Sequence, residues 1–120
     1  MEHQIVHVEI SATDRIALSK FYADGFGWEI KHLDEMDYST FETGEGVGGG
    51  FNPVSELNPA GTITFYIHTD NVTASLKVVE QSGGTIISPE TEIPNIGKFG
   101  FFRDPQGNLV GLLMPFPMAK

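Results

Sequence analysis

The chain has 120 residues, of which 16 are acidic and 7 basic, with a formal net charge of −9 and no cysteine. The lack of cysteine excludes disulfides and thiolate metal sites, and the excess of carboxylates repels the phosphates of nucleic acid. No apolar run approaches the roughly 20 residues that a membrane helix needs. We therefore expect one soluble, cytoplasmic domain over residues 1–120 without a nucleic-acid or membrane partner.

The first half of the chain predicts a βαβββ unit. Residues 5–11 alternate apolar and polar side chains with the period of two that is typical of a strand. Thr13 or Asp14 can cap a helix that ends at Gly27. Three further strands are predicted at residues 28–33, 38–43 and 47–51.

A polar segment with two prolines, residues 52–60, precedes a second unit of the same order. Residues 62–68 alternate again, and Asp70 or Asn71 can cap a helix that ends at Gly83. Three more strands are predicted at residues 85–88, 98–103 and 108–114. The acidic segment 88–97 contains two prolines and is expected to be an exposed loop, with a cover over a cavity as the alternative.

The two units repeat at an offset of 57 or 56 residues. An offset of 57 aligns the apolar faces of the first strands, Val6, Val8 and Ile10 with Ile63, Phe65 and Ile67. An offset of 56 aligns only two polar residues near the helix caps. We prefer 57 because a slip of one residue turns every strand side chain to the other face. The chain is thus predicted to form two modules, about residues 4–52 and 61–116.

Three short motifs accompany the repeat. They are Phe21-Tyr22 followed by Gly25-Phe26-Gly27-Trp28, Gly83-Gly84 after the second helix, and the closing Asp104-Pro105-Gln106-Gly107-Asn108. Together with the two βαβββ units, which span nearly the whole chain, these motifs resemble the vicinal oxygen chelate superfamily. That superfamily includes glyoxalase I, the bleomycin-resistance proteins and the extradiol dioxygenases. The resemblance implies an α+β fold whose modules form a half-open, barrel-like sheet around a cavity, and it implies a homodimer.

The same resemblance indicates which strand face lines the cavity. Helices cover the convex side in this superfamily, so the apolar residues of the first strand of each module pack beneath a helix, and His7 and Glu9 of module 1 face the cavity. The predicted ligand-binding residues are His7, Glu9, Trp28, Phe51, Tyr66, Phe101 and Arg103. Arg103 could pair with a ligand carboxylate, and a surface position near Asp104 is the alternative.

Enzymes of this superfamily hold one divalent metal ion with His, Gln or Glu side chains from the first and last strands of the units. His7 matches the first-strand position and is the only candidate metal ligand. The second unit has Thr64 there, or Ile63 at the other offset, and Gly111 stands where active relatives often carry Glu. One histidine does not define a metal geometry, so no metal cofactor is expected.

Three functions remain open. The leading hypothesis is a metal-free protein that binds a small, largely apolar molecule, as bleomycin-resistance-like proteins do. The alternative is a lyase, isomerase or dioxygenase that uses a divalent metal ion, or that uses His7 as an acid/base without one, with Glu9 as the second candidate catalytic residue. The third is a structural or regulatory domain whose cavity is filled by its own aromatic residues. The fold cannot decide among them, because one scaffold hosts many chemistries.

Overall fold

The computed structural model describes residues 3–117. Within this range it contains two α-helices and eight strands in the order βαβββ, repeated once. The predicted α+β class and the order of its elements are therefore confirmed. The described residues divide into two compact units, one formed by Val6–Phe65 and the other by residues 66–117 together with residues 3–5. Neither of the helices described is long and apolar enough to cross a membrane.

Module 1 comprises the first four strands and the first helix. Its elements are β1 (Ile5–Ala12), α1 (Arg15–Phe26), β2 (Glu29–Leu33), β3 (Tyr38–Glu42) and β4 (Gly49–Pro53), with a 3-10 turn at Asp34–Met36. The sheet order is β2-β3-β4-β1, with β1 and β4 parallel. Asp14 caps α1 by accepting a 3.0 Å hydrogen bond from the Ala17 amide, and Gly27 ends it in the left-handed conformation.

Module 2 comprises the remaining elements. These are β5 (Ile63–His68), α2 (Val72–Gln81), β6 (Thr85–Ile93), β7 (Gly97–Arg103) and β8 (Leu109–Pro115). The sheet order is β5-β8-β7-β6, with β5 and β8 parallel. Asn71 caps α2 by accepting a 2.9 Å hydrogen bond from the Ala74 amide.

The prediction of an exposed loop at residues 88–97 is wrong. β6 continues to Ile93 and pairs with β7, with Thr91 opposite Phe99 and Ile93 opposite Gly97. The ladder is irregular between Ser88 and Thr91, which is where Pro89 lies. A proline is tolerated in a strand at such an irregularity because no ladder hydrogen bond is required of it there.

An aromatic core joins α1 to the sheet of module 1. Phe51 is fully buried and packs with Phe41, at 5.0 Å between ring centroids. Trp28 stacks on Tyr22 and on Phe41, with centroid distances of 4.6 and 4.5 Å. The predicted position of Trp28 and Phe51 on the cavity face is therefore wrong. Phe51 is the register partner of Ile10 and lies with it in this core.

The core of module 2 is mainly aliphatic. It contains the buried side chains Val72, Leu76, Phe102, Val110 and Leu112. Ile67 packs against this core as predicted, but Ile63 and Phe65 are 66% and 37% exposed. The expectation that all three pack beneath the helix is wrong for these two, because β8 pairs with β5 only from Tyr66 to His68.

Candidate functional site

Four polar side chains form a hydrogen-bonded network on the sheet of module 1. Tyr38 lies at its centre, with its Oη 2.9 Å from His7 Nε2 and 3.0 Å from Glu9 Oε2. Asn52 Nδ2 donates to Glu9 Oε1 at 3.3 Å. Because Val8 and Ile10 of β1 pack in the α1 core, the alternation of the strand puts His7 and Glu9 on the opposite face.

The strand register explains how Tyr38 reaches the two residues of β1. Gly50 of β4 lies opposite Glu9 on one side and opposite Thr40 on the other. A Cβ atom on Gly50 would overlap the hydroxyl oxygen of Tyr38. Glycine at position 50 therefore gives the tyrosine ring the room that it needs to cross β4.

The network is partly shielded from solvent. The side chains of His7 and Glu9 are 24% and 16% exposed, and His7 Nε2 lies 3.6 Å from Glu9 Oε2. Burial, and then the charge of Glu9 and the hydrogen bond to it, raise the pKa of the Tyr38 hydroxyl far above its ordinary value. Tyr38 is therefore a neutral hydrogen-bond donor at physiological pH.

A cavity of about 540 Å³ adjoins the network. His7 lines it, together with apolar residues that include Val6 and Leu33. Thr40 and Lys31 add polar groups, and their strands place them opposite each other in the ladder of β2 and β3. The volume and the mixture of apolar walls with a few polar groups are typical of small-molecule sites.

The equivalent face of module 2 is aromatic. Tyr66 lies opposite Gly111 in the ladder, as Glu9 lies opposite Gly50 in module 1. The rings of Tyr66 and Phe101 are 5.5 Å apart, and both side chains are at least nine-tenths buried. They lie on the face away from α2, since Phe102, the neighbour of Phe101, is in the α2 core.

Arg103 belongs to the closing turn of module 2. Its Nη1 donates a 3.0 Å hydrogen bond to the carbonyl oxygen of Gly107. Asp104 holds the same turn by accepting hydrogen bonds from the amides of Gln106 and Asn108, both at 2.9 Å. Arg103 is half-buried and bonds within its own turn, and its pairing with a ligand carboxylate stays a prediction.

The residues present do not fit the metal ion that the superfamily resemblance implies. Within residues 3–117, no three His, Cys, Asp or Glu side chains are grouped so that they could hold one. The closing strands offer Gly50 and Gly111, and a Cβ atom at Gly111 would overlap the Tyr66 ring as one at Gly50 would overlap Tyr38. In both modules a tyrosine occupies the space that a carboxylate on the closing strand would need.

Sequence reasoning identified His7 and Glu9 but missed Tyr38, Asn52 and Lys31. Tyr38 is one of several aromatic residues in predicted strands, and the sequence does not distinguish it from a core residue; its crossing of Gly50 shows its role. The sequence also gave no sign of a second cavity, of about 450 Å³, in module 2. That cavity lies beside α2 and is lined by residues that include Ile67, Val78 and Val79.

Comparison with known proteins identifies the family. Residues 4–112 match the model of the Glyoxalase/Bleomycin resistance protein/Dioxygenase superfamily. A glyoxylase-like domain-containing protein from Didymella fabae is 32% identical over 114 residues, which cover 88% of each chain. The chain therefore belongs to this superfamily, as its sequence motifs predicted.

Solved structures support the fold. A hypothetical protein from Bacillus halodurans matches with a TM-score of 0.72 at 15% identity, covering 100% of this chain and 99% of that one. Methylmalonyl-CoA epimerase from Mycobacterium tuberculosis matches with a TM-score of 0.70 at 14% identity, covering 94% and 88%. At such low identities these structures share the fold with this chain, and their activities do not transfer with it.

Proposed function

We propose that this protein binds a small, largely apolar molecule in the cavity of module 1 and does so without a bound metal ion. The observation that carries the proposal is the position of His7, which lines a cavity of about 540 Å³ and is hydrogen-bonded to Tyr38 behind it. A ligand would rest against Val6 and Leu33 and form a hydrogen bond with His7.

The metal-free part of the proposal is supported by the chemistry of the site. His7 and Glu9 supply one nitrogen and one carboxylate, and Glu9 already accepts hydrogen bonds from Tyr38 and Asn52. A metal ion would have to recruit further ligands to reach a defined geometry. A hydrogen-bonded histidine needs no such ligands.

The binding proposal can be tested by NMR with a library of fragment-sized molecules. The methyl signals of Val6 and Leu33 report on the cavity of module 1, and those of Ile67 and Val79 report on the second cavity. We expect fragments that shift the first pair in protein treated with EDTA. We also expect His7→Ala to weaken their binding about fivefold, the factor for one lost hydrogen bond.

His32→Ala is the matched control for this experiment. His32 lies in β2 next to Lys31, so it projects from the opposite face of the strand, where its Nδ1 is 2.7 Å from Ser39 Oγ. This variant should leave fragment binding unchanged. A library that shifts only Ile67 and Val79, or that needs an added divalent ion to bind, would overturn the proposal.

A second candidate function is proton transfer by His7. The link from His7 through Tyr38 to Glu9 favours it, because an imidazole held in one orientation by neighbouring groups is a common general base. In such a reaction His7 would take a proton from a carbon next to a carbonyl group and return a proton to the enolate. The product would be an isomer or the same compound with an exchanged proton.

Exchange of the methyl protons of pyruvate in deuterated water, followed by proton NMR, tests this second candidate. Protein treated with EDTA should accelerate the exchange, and His7→Ala should reduce the acceleration by about 10²–10⁴-fold. His32→Ala again serves as the control and should retain it. Exchange that survives His7→Ala, or that no form of the protein accelerates, would rule out this role in acting on pyruvate and leave the binding proposal intact.

A further inference from the structure

The hydroxyl of Tyr38 lies between His7 and Glu9, but Tyr38 does not itself line the cavity. Its oxygen is 2.9 Å from His7 Nε2 and 3.0 Å from Glu9 Oε2, whereas His7 Nε2 and Glu9 Oε2 are 3.6 Å apart. The last distance is too long for a direct hydrogen bond. His7 and Glu9 are therefore connected through the phenol.

The chemistry of the phenol sets the direction of both hydrogen bonds. Tyr38 has one hydroxyl proton, which it donates to the carboxylate of Glu9. Burial raises the pKa of Tyr38 so far that this proton is retained. The phenol oxygen can then only accept from the imidazole, so Nε2 of His7 must carry a proton.

Two neighbours hold this arrangement in place. Gly50 leaves the space in which the hydroxyl of Tyr38 lies. Asn52 Nδ2 donates to the other oxygen of Glu9, Oε1, at 3.3 Å and so orients the carboxylate. The carboxylate is 16% exposed, so water competes only partly for its lone pairs.

We propose that Tyr38 is a positioning residue that fixes neutral His7 as the tautomer with its proton on Nε2. The lone pair of neutral His7 then resides on Nδ1, so a hydrogen bond from outside the cavity sets the tautomer of a residue that lines it. The inference deepens the proposed function and rests on it, because His7 is the member of the network that lines the ligand cavity.

The tautomer can be measured in the protein without any ligand, so failure here is distinguishable from failure of the binding proposal. Long-range ¹H–¹⁵N spectra of histidine-labelled protein, recorded at alkaline pH where imidazoles are neutral, report on each ring nitrogen. We expect a pyrrole-type Nε2 and a pyridine-type Nδ1 for His7. Its Nε2–H proton should exchange slowly with water because it is hydrogen-bonded.

Removal of the phenol hydroxyl should release the imidazole. In Tyr38→Phe we expect the Nε2–H proton of His7 to exchange about fivefold faster or more, with a mixture of tautomers. The matched control is Tyr22→Phe, which removes a hydroxyl from the α1 core on the other side of the sheet. His32 provides an internal reference in every spectrum, since it contacts Ser39 and not Tyr38.

Substitution of Glu9 provides a second test of the tautomer if Tyr38→Phe does not fold. In Glu9→Gln the amide can donate to Tyr38, which frees the phenol proton to turn toward His7, so we expect the Nδ1–H tautomer to appear. A wild-type His7 with its proton on Nδ1 would overturn the proposal. The proposal would also be overturned if Tyr38→Phe folds and leaves the tautomer and the exchange rate of His7 unchanged. If Tyr38→Phe does not fold, the same result in Glu9→Gln would overturn it.

Discussion

The two modules use the same strand positions for different purposes on the face away from their helices. Glu9 opposite Gly50 in module 1 corresponds to Tyr66 opposite Gly111 in module 2. The helix-facing sides differ less, because the equivalent residues Phe51 and Leu112 are both buried in a hydrophobic core. Both modules therefore bury a hydrophobic residue of the last strand beneath the helix, and they differ on the face of the sheet away from the helix.

The divergence separates a polar site from an aromatic cluster. In module 1 the tyrosine at the start of β3 contacts a histidine and a carboxylate of β1. In module 2 the corresponding residue of β7 is Phe99, whose ring is 5.6 Å from that of Phe101. Chemistry that needs a proton donor or acceptor is therefore expected in module 1, whereas the equivalent positions of module 2 hold aromatic rings.

Substitutions in the hydrophobic cores, which both modules have, should lower the free energy of unfolding most. Phe51→Ala removes a fully buried ring and should lower the free energy of unfolding by about 3–5 kcal/mol. Leu112→Ala, the equivalent change in module 2, should cost about 2–5 kcal/mol. Urea denaturation followed by circular dichroism measures both. A loss below about 1 kcal/mol for either variant would show that the two cores do not follow one rule.

A smaller loss of stability is expected when a methyl group is added at the glycine that contacts a tyrosine in each module. Gly111→Ala should cost about 1–3 kcal/mol, because the new methyl group would overlap the Tyr66 ring. Tyr66→Leu should restore part of the loss by freeing that space. The control is Gly25→Ala in α1, where a Cβ atom meets nothing within 4 Å, and alanine in a helix is favoured. If Gly111→Ala and Gly25→Ala are equally stable, the glycine does not serve the tyrosine.

The turn between β7 and β8 is expected to make a small contribution to stability that depends on pH, whereas the turn between β3 and β4 is not. Hydrogen bonds from Asn108, and from the amides of Gln106 and Gly107, lower the pKa of Asp104 below its ordinary value. A lowered pKa in the folded state stabilises the protein above the unfolded pKa, and this contribution is lost as the pH falls through the folded value. The difference in urea midpoint between wild type and Asp104→Ala should therefore shrink below about pH 4.

The equivalent turn of module 1 offers a control for that titration. It has Glu45 in an exposed loop, where Thr43 instead donates to the Val47 carbonyl. Glu45→Ala should leave the pH dependence of stability unchanged. If the difference in urea midpoint between wild type and Asp104→Ala stays constant from neutral pH to pH 3, the assigned role of the Asp104 carboxylate is contradicted.

The fold was predictable from the sequence because its signals were periodic. Alternation in residues 5–11 separated His7 and Glu9 from the apolar side of β1, and Asp14 and Asn71 were correctly considered as helix caps. The face of Phe51 was not predictable, since a strand that begins with Gly49 and Gly50 has no apolar alternation to read. Trp28 precedes β2 by one residue and so lies outside any strand pattern.

The centre of the candidate site was less predictable than its two β1 residues. Tyr38 and Glu9 are 29 positions apart in the chain, and their contact depends on which residue of β4 lies between them. That residue is Gly50, which the sequence presents only as one of several glycines in residues 46–50. A long-range register of this kind follows from the packing of whole strands, and no local propensity specifies it.

We infer that His7 belongs to a hydrogen-bonded site and not to a metal centre, and the metal content of the purified protein distinguishes the two. Wild type, His7→Ala and the control His32→Ala would be purified without added ions, and their divalent metal content measured by plasma mass spectrometry. We expect far less than one divalent ion per chain in all three proteins. One transition-metal ion per chain in wild type and in His32→Ala, lost in His7→Ala, would contradict it.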